Sequence, residues 1–359
     1  MAQSCDVLIV GGGIAGLSLA ARLGNDMQVA VVEAESALAY HASSRSARQL
    51  QPSHGPLPIR TLTGRTIAAV EDISAHIGRR ILNDRPLIFT GTEDDVAARL
   101  AASDVLQRIS VDEALSRSPE LRPEAVQAAA LDDSALQVEA DVLLDYYRDQ
   151  ALGAGVQIHC NAPVHTAQQV SAGWTVGAGE EAFHAGTVVN AAGAWADPLA
   201  IIFGVRILGL EPYRRTAAVV DTSRPVAEDG HMIRGADGSF YYRPEGTQLL
   251  ISPCETVASQ AEDAQPITAD VDRLVERINS ATTFSIKNIV RSWTGLRTEP
   301  GDGLPMVGYD EEAPDFFWLA GQGGYGIQTS WAMADLAASL ITGSTTDADP
   351  VAKALSPLR

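Results

Sequence analysis

Three glycines at the spacing G-x-G-x-x-G, Gly11, Gly13 and Gly16, follow directly on the apolar run Val7-Leu8-Ile9-Val10, and Glu33 closes a second apolar run, Val29-Ala30-Val31-Val32. Those residue types in that order can hold a dinucleotide. Gly11 and Gly13 let the backbone turn tightly and approach a pyrophosphate, and Gly16 lets the following helix lie close on the strand. The helix start at Ile14 and Ala15 offers oriented N–H donors and partial positive charge. Glu33, with Ala34 beside it, stands where a carboxylate accepts hydrogen bonds from ribose hydroxyls. A tight strand-to-helix turn in another α/β protein would share the glycines; the acid, seventeen residues after Gly16, favours the nucleotide.

Two further clusters repeat this logic. Thr187-Val188-Val189-Asn190 runs into Ala191-Ala192-Gly193-Ala194-Trp195, side chains so small that a backbone or ligand must come close. Ala192, Gly193 and Trp195 would sit at the carboxyl end of a parallel strand, where doubly wound sheets bind ligands. Phe317 to Ala320 is a third strand, and its glycine turn holds Gly323, Gly324, Tyr325, Gly326, Ile327 and Gln328 before a helix over Thr329 to Leu340. Between the first two clusters, Tyr40 to Gln49 carries the hydroxyls Ser43, Ser44 and Ser46. It reads as a loop and helix start whose hydroxyls and N–H groups bind a pyrophosphate and reach a redox-active ring; a capped helix N-terminus is the other reading.

The elements that must position these residues follow from periodicity. Ile59, Leu62, Ile67, Val70 and Ile73 have helical spacing, Pro86 to Thr90 reads as a strand, and Glu93–Leu100 and Val111–Leu115 as short helices. Leu131 to Asp141 reads as a loop before a helix over Val142 to Leu152, which Gly153-Ala154-Gly155 closes ahead of a strand from Val156. Gly173–Val176 and Ala182–His184 alternate like a small antiparallel layer. From Ile207 the chain becomes strand-rich, with Arg215–Val220, Ser239–Pro244, Gln248–Ser252 and Ile286–Arg297, and a helix over Val271–Ile278. The composition, 359 residues with 46% hydrophobic and 20% charged, is that of a folded globular enzyme. The net charge of −19 argues against a nucleic-acid partner. Cys5, Cys160 and Cys254 are few and scattered, as in a reducing compartment, and suggest neither disulfides nor a metal site. With no signal peptide or apolar run of transmembrane length in view, the expected location is cytoplasmic, with peripheral membrane association left open.

Together the clusters resemble the FAD-dependent D-amino-acid and amine oxidoreductases, the superfamily of glycine oxidase, sarcosine oxidase and D-amino-acid oxidase. Tyr40-His41 through Arg45-Ser46-Ala47, Val188 to Trp195, Trp293-Thr294-Gly295-Leu296-Arg297 and Gly323 to Ser330 look most like its D-arginine dehydrogenase branch. The resemblance implies an α/β fold: a discontinuous Rossmann-type FAD-binding domain (1–80, 137–205 and 290–359), and a substrate domain with a mixed, mostly antiparallel sheet (81–136 and 206–289). By it, Gly11, Gly13 and Gly16 hold the pyrophosphate and Glu33 the ribose. Val164 meets adenine through its backbone, Ser43, Ser44, Ser46 and Gln49 line pyrophosphate and flavin, and Gly323 to Gln328 border the ring, where a helix dipole would favour the anionic reduced form. No cysteine follows Cys254, so the FAD is expected to be non-covalent.

The resemblance also implies that Arg297 and Arg215 grip a substrate α-carboxylate, although the neighbouring Arg214 competes with Arg215 for the inward place. A guanidinium fork matches a carboxylate bidentately and keeps its charge. Tyr241 corresponds to an active-site tyrosine, and since Tyr242 points the opposite way only one of them can face the flavin. Two departures bear on specificity: Leu87 follows Arg85-Pro86 where the D-arginine branch has an acid, and Gln49 and His54 stand where it has a histidine and a tyrosine. The implied reaction is oxidative deamination of a neutral α-amino acid of D configuration by hydride transfer from Cα to flavin N5, with a carbonyl near Gly324 accepting from the amine and O2 or a quinone as final acceptor. The alternatives are a secondary-amine oxidase of sarcosine or glycine type, an FAD-binding electron-transfer subunit, and a nicotinamide-dependent reductase, for which a second fingerprint is missing.

Overall fold

A computed structural model describes residues 2–345 and 349–359. Two large sheets and one small one organise it. In the eight-stranded sheet Gln3–Val10 lies between Glu181–Asn190 and Val29–Val32, parallel to both. Val7 to Val10 and Val29 to Val32 are buried on both faces, as strands covered by helices must be. The helices Ile14–Leu23 and Ser330–Ile341 close one face, and Ala196–Phe203 packs on the other.

The ten-residue strand Glu181–Asn190 joins what the sequence suggests are separate pieces. It pairs antiparallel with Gly173–Ala178 over its first half and parallel with Phe316–Ala320 at Val188 to Asn190. It therefore delivers Ala191 to Trp195 to the carboxyl edge of the parallel strands, above Gly11.

The nine-stranded sheet is mostly antiparallel, with one parallel pair between Met232–Gly235 and Leu87–Gly91. Its longest ladder joins Glu211–Thr222 to Ile286–Glu299. Residues 290–299 thus pair within the second sheet, whereas the resemblance groups them with the nucleotide-binding segment. The back of this sheet buries Tyr242, Ile233, Ile251 and Ala218 under the helix Thr268–Ala281, whose Val271, Leu274 and Ile278 share one stripe. Its front carries Tyr241, Met232, Ala217, Leu250 and Leu87.

Two local expectations fail for non-local reasons. Tyr40 to Gln49 starts no helix: the backbone carbonyls of Arg45 and Ala47 are taken by the Trp293 indole N–H (3.2 Å) and Arg243 Nε (2.8 Å) of the second sheet. The segment then enters a two-residue strand, Gln49–Leu50. Within the supposed loop 131–141, Leu136–Val138 is a strand, because Gln49–Leu50 and Leu82–Asp84 pair on either side of it.

Candidate active site

One cavity of about 700 Å³ runs between the two large sheets. At one end it is lined by Gly11, Gly13, Ile14, Ala15, Glu33, Ala34 and Val164, in the middle by Ser43, Ser46, Gln49, Ala192, Gly193 and Trp195, and at the other end by Arg215, Tyr241, Arg297 and His54. Gly323 to Gln328 complete the wall. Gly16 lies behind the lining, where it lets the helix sit on the turn: a Cβ there would stand 1.9 Å from the Gly11 carbonyl oxygen. Gly11 itself has φ +113° and passes Ala191, whose carbonyl oxygen a Cβ would meet at 2.4 Å.

Two of the expected residues are placed elsewhere. Ser44 is exposed and bonds back to the Tyr40 carbonyl (3.1 Å), a local turn contact that aims its hydroxyl away from the cavity. Leu87 is fully buried one strand beyond the lining, beside its register partner Met232. Its identity therefore says nothing direct about the side chain of a bound molecule.

The nucleotide end is built from backbone donors and one acid. Glu33 accepts from Gly12 N–H (2.7 Å) and Glu35 N–H (2.9 Å), which fixes the carboxylate across the glycine turn, while Ser43 Oγ accepts from Ile14 N–H (2.9 Å). Gln49 donates to the Arg85 carbonyl (3.2 Å) and leaves its buried Oε1 without a partner. Buried polar atoms are rarely left so. The orphaned Oε1, the glycine turn and a cavity of this length fit a dinucleotide such as FAD.

At the far end the register sets the chemistry. Tyr213 lies opposite Arg297, so Arg215, two residues on, is its diagonal neighbour on the same face. Arg214 turns away to Glu262 (3.4 Å) and the Gln265 carbonyl, which settles the inward arginine as Arg215. Tyr241 faces the cavity, whereas Tyr242 donates to Glu120 (3.0 Å) on the back. Arg297 stands against Gly324, where a Cβ would lie 3.0 Å from its Nη1. Burial, and after it the Arg215 charge, push the Arg297 guanidinium down to about 10, which still leaves it charged at neutral pH. Burial holds the Tyr241 phenol above its ordinary value, so it stays protonated and can donate.

The cavity wall also includes Arg234, Cys254, Thr256 and Met232, which sequence reasoning missed. Arg234 lies opposite Tyr241 on the neighbouring strand, and its guanidinium sits over the Phe89 ring at 6.0 Å. No motif marks it: its four-residue strand is bounded by turn residues and acquires its place only through pairing.

His54 rests against Tyr325, ring centroids 5.2 Å apart. Burial first, then the charges of Arg234, Arg297, Arg99 and Arg215, lower its pKa to about 3. The unfolded chain therefore binds one more proton than the folded one between about pH 6.5 and 3, and this group costs stability as pH falls through that window. His54→Gln is expected to flatten the fall of Tm over that range, by at most about 1.4 kcal/mol per pH unit. Parallel Tm curves for the two proteins would show that the ring titrates normally.

The family model described as FAD dependent oxidoreductase matches residues 6–340. The chain belongs to that family. It is 26% identical over 366 residues to glycine oxidase of Geobacillus kaustophilus, covering 97% of this chain and 96% of that one. The crystal structure of glycine oxidase from that organism superposes with a TM-score of 0.82 at 25% identity, covering 96% of each chain. The fold is shared as well with L-proline dehydrogenase from P. horikoshii (TM-score 0.84, 18% identity, 100% of this chain and 98% of that one). FAD is thus the cofactor, and the glycine turn, Glu33, Ser43, Ser46, Gln49 and the Gly323–Gln328 wall line the cavity whose length and donors fit it. Among the described residues no helix is long and apolar enough to cross a membrane, and no three His, Cys, Asp or Glu side chains gather as a metal site.

Proposed function

We propose that this flavoprotein oxidises an α-amino acid at its Cα–N bond, giving an imino acid that water hydrolyses to a 2-oxo acid and ammonia. The observation that carries the reading is Arg297, a charged guanidinium at the inner end of the FAD cavity with no ion-pair partner among the described residues. A buried charge is costly unless it is paired, and a carboxylate is the group its fork fits. That glycine oxidase is the full-length relative described above agrees with an amino-acid substrate.

FAD, held non-covalently in this reading, supplies the two-electron acceptor for the Cα hydride. The chain supplies position. Arg297 holds the carboxylate, with Arg215 as its neighbour, and the protonated Tyr241 donates to the same group. Backbone at Gly324, which adjoins the Arg297 guanidinium, accepts from the amine. His54, kept neutral, closes the wall without adding a fourth positive charge. Fixing a substrate over a reactive ring in this way lowers the barrier through orientation alone, with little acid–base machinery.

A D-configured substrate and O2 or a quinone as acceptor complete the proposal. A secondary amine bearing a carboxylate would use the same clamp and differ at the amine. Turnover of a D-amino acid with an artificial acceptor should release 2-oxo acid and ammonia in equal amounts; turnover of its N-methyl derivative alone, with release of formaldehyde and the primary amino acid, would assign the chain to N-alkyl oxidation.

A further inference from the structure

The wall that holds Arg297 carries more positive charge than one carboxylate can balance, and the inference drawn from this rests on the amino-acid reading above. Arg215, Arg234 and Arg297 all face the cavity. Among the described residues none of the three has a carboxylate within ion-pair distance, and the one side-chain hydrogen bond they make is from Arg215 to Thr256 Oγ1, at 3.3 Å. The buried Nε atoms of Arg215 and Arg234 have no partner. Four acids reach the same lining: Glu33 and Glu35 at the nucleotide end, Glu262, which is engaged by Arg214 and Ser259, and Glu299, which lies along Gly323, where a Cβ would stand 2.7 Å from its Oε2. Glu255, near Arg215 but outside the lining, accepts from Thr216 N–H (2.6 Å).

The three guanidiniums approach from two sides. Arg297 and Arg215 stand on adjacent strands of one ladder, whereas Arg234 comes from the strand beyond Tyr241. An amino acid with a neutral side chain pairs one side and leaves the other as an uncompensated charge once the cavity closes around it. A cationic side chain adds repulsion. A second carboxylate satisfies the remaining fork and turns the penalty into a pair.

We propose that Arg234 selects a substrate whose side chain carries its own carboxylate, an acidic amino acid of the aspartate or glutamate type. Arg297 takes the α-carboxylate and Arg234 the distal one. This replaces the neutral side chain expected from Leu87, which does not reach the cavity.

The test compares kcat/KM of the FAD-loaded enzyme for aspartate and glutamate with asparagine and glutamine, in both configurations. The acids are nearly isosteric with their amides, so the ratio reads charge. We expect the acid to be preferred about tenfold or more, as for a desolvated charge pair. Arg234→Met should bring the ratio close to one, and Arg234→Lys should keep part of it. Amides turned over as well as acids, or a ratio unchanged in a flavin-loaded Arg234→Met enzyme, would overturn the proposal.

A second measurement needs no variant and no turnover. Malonate and succinate should perturb the flavin spectrum of the wild-type enzyme at concentrations about tenfold or more below those of acetate and propionate. Equal concentrations would overturn the proposal. If no amino acid reduces the flavin while dicarboxylates still bind selectively, the amino-acid reading fails and the diacid site stands.

Discussion

Replacing Arg297 with methionine is expected to lower kcat/KM for the amino-acid substrate and to raise Tm. The first effect follows from removing one partner of a buried charge pair, roughly 2–5 kcal/mol, or about 30- to 5,000-fold in kcat/KM. The second follows from the free enzyme, where the guanidinium is desolvated beside Arg215 with no carboxylate within ion-pair distance among the described residues. A methionine of similar length fills the space without that cost. Substrate binding relieves a strain that the resting protein carries, so stability and activity are expected to move in opposite directions. Flavin content, kinetics and Tm on the same preparation check this. An enzyme with unchanged kcat/KM would remove Arg297 from substrate binding, and a lower Tm would show that its charge is balanced in the free protein.

The other large effect is expected at Gly16. Its Cβ would lie 1.9 Å from the Gly11 carbonyl oxygen, a backbone atom that cannot swing aside, so Gly16→Val must lift the helix off the strand or open the turn. Overpacking of this kind costs about 1–3 kcal/mol or more. Here it also disperses the N–H groups aimed at the pyrophosphate, and with the flavin goes the stabilisation that a bound ligand confers. The variant should purify colourless, with a Tm below that of the wild-type apoprotein. Gly64 provides the contrast. It lies exposed within the helix Leu57–Ile77, and a Cβ there would meet no atom within 4 Å. Gly64→Ala should stabilise by about 0.5–1 kcal/mol and leave the flavin in place. A yellow, stable Gly16→Val protein would mean that the turn is not under the constraint its geometry implies.

The features that were legible in the sequence are those written in short stretches. The glycine turn, Glu33, the cluster at Ala192 to Trp195 and the wall at Gly323 to Gln328 each combine a strand with its following turn, and all line the cavity. Arg215, Arg297 and Tyr241 came from the motif order of the family and also face it. What escaped depends on pairing between distant strands. Arg234 enters the site because its short strand pairs with Tyr241–Glu245 and Leu87–Gly91, and no local pattern announces that. Leu87 shows the converse: its place in the motif order suggests a specificity position, whereas the register sets it beside Met232, one strand outside the lining. Ser44 shows the limit of composition, since three serines, Ser43, Ser44 and Ser46, crowd the segment and only two of them reach the cavity.

The central claim, that a cationic clamp positions an α-amino acid against FAD, is tested most directly by mixing the purified holoenzyme anaerobically with single compounds and following the visible flavin absorption. The compounds are D- and L-aspartate, glutamate, asparagine and alanine, glycine, sarcosine, the amines that match these amino acids but lack the α-carboxylate, and α-glycerophosphate. The prediction is rapid bleaching by an amino acid, fastest with an acidic one, and none by the amine without its carboxylate. Bleaching by the carboxylate-free amines at the same rate, or by α-glycerophosphate and by no amino acid, would contradict it.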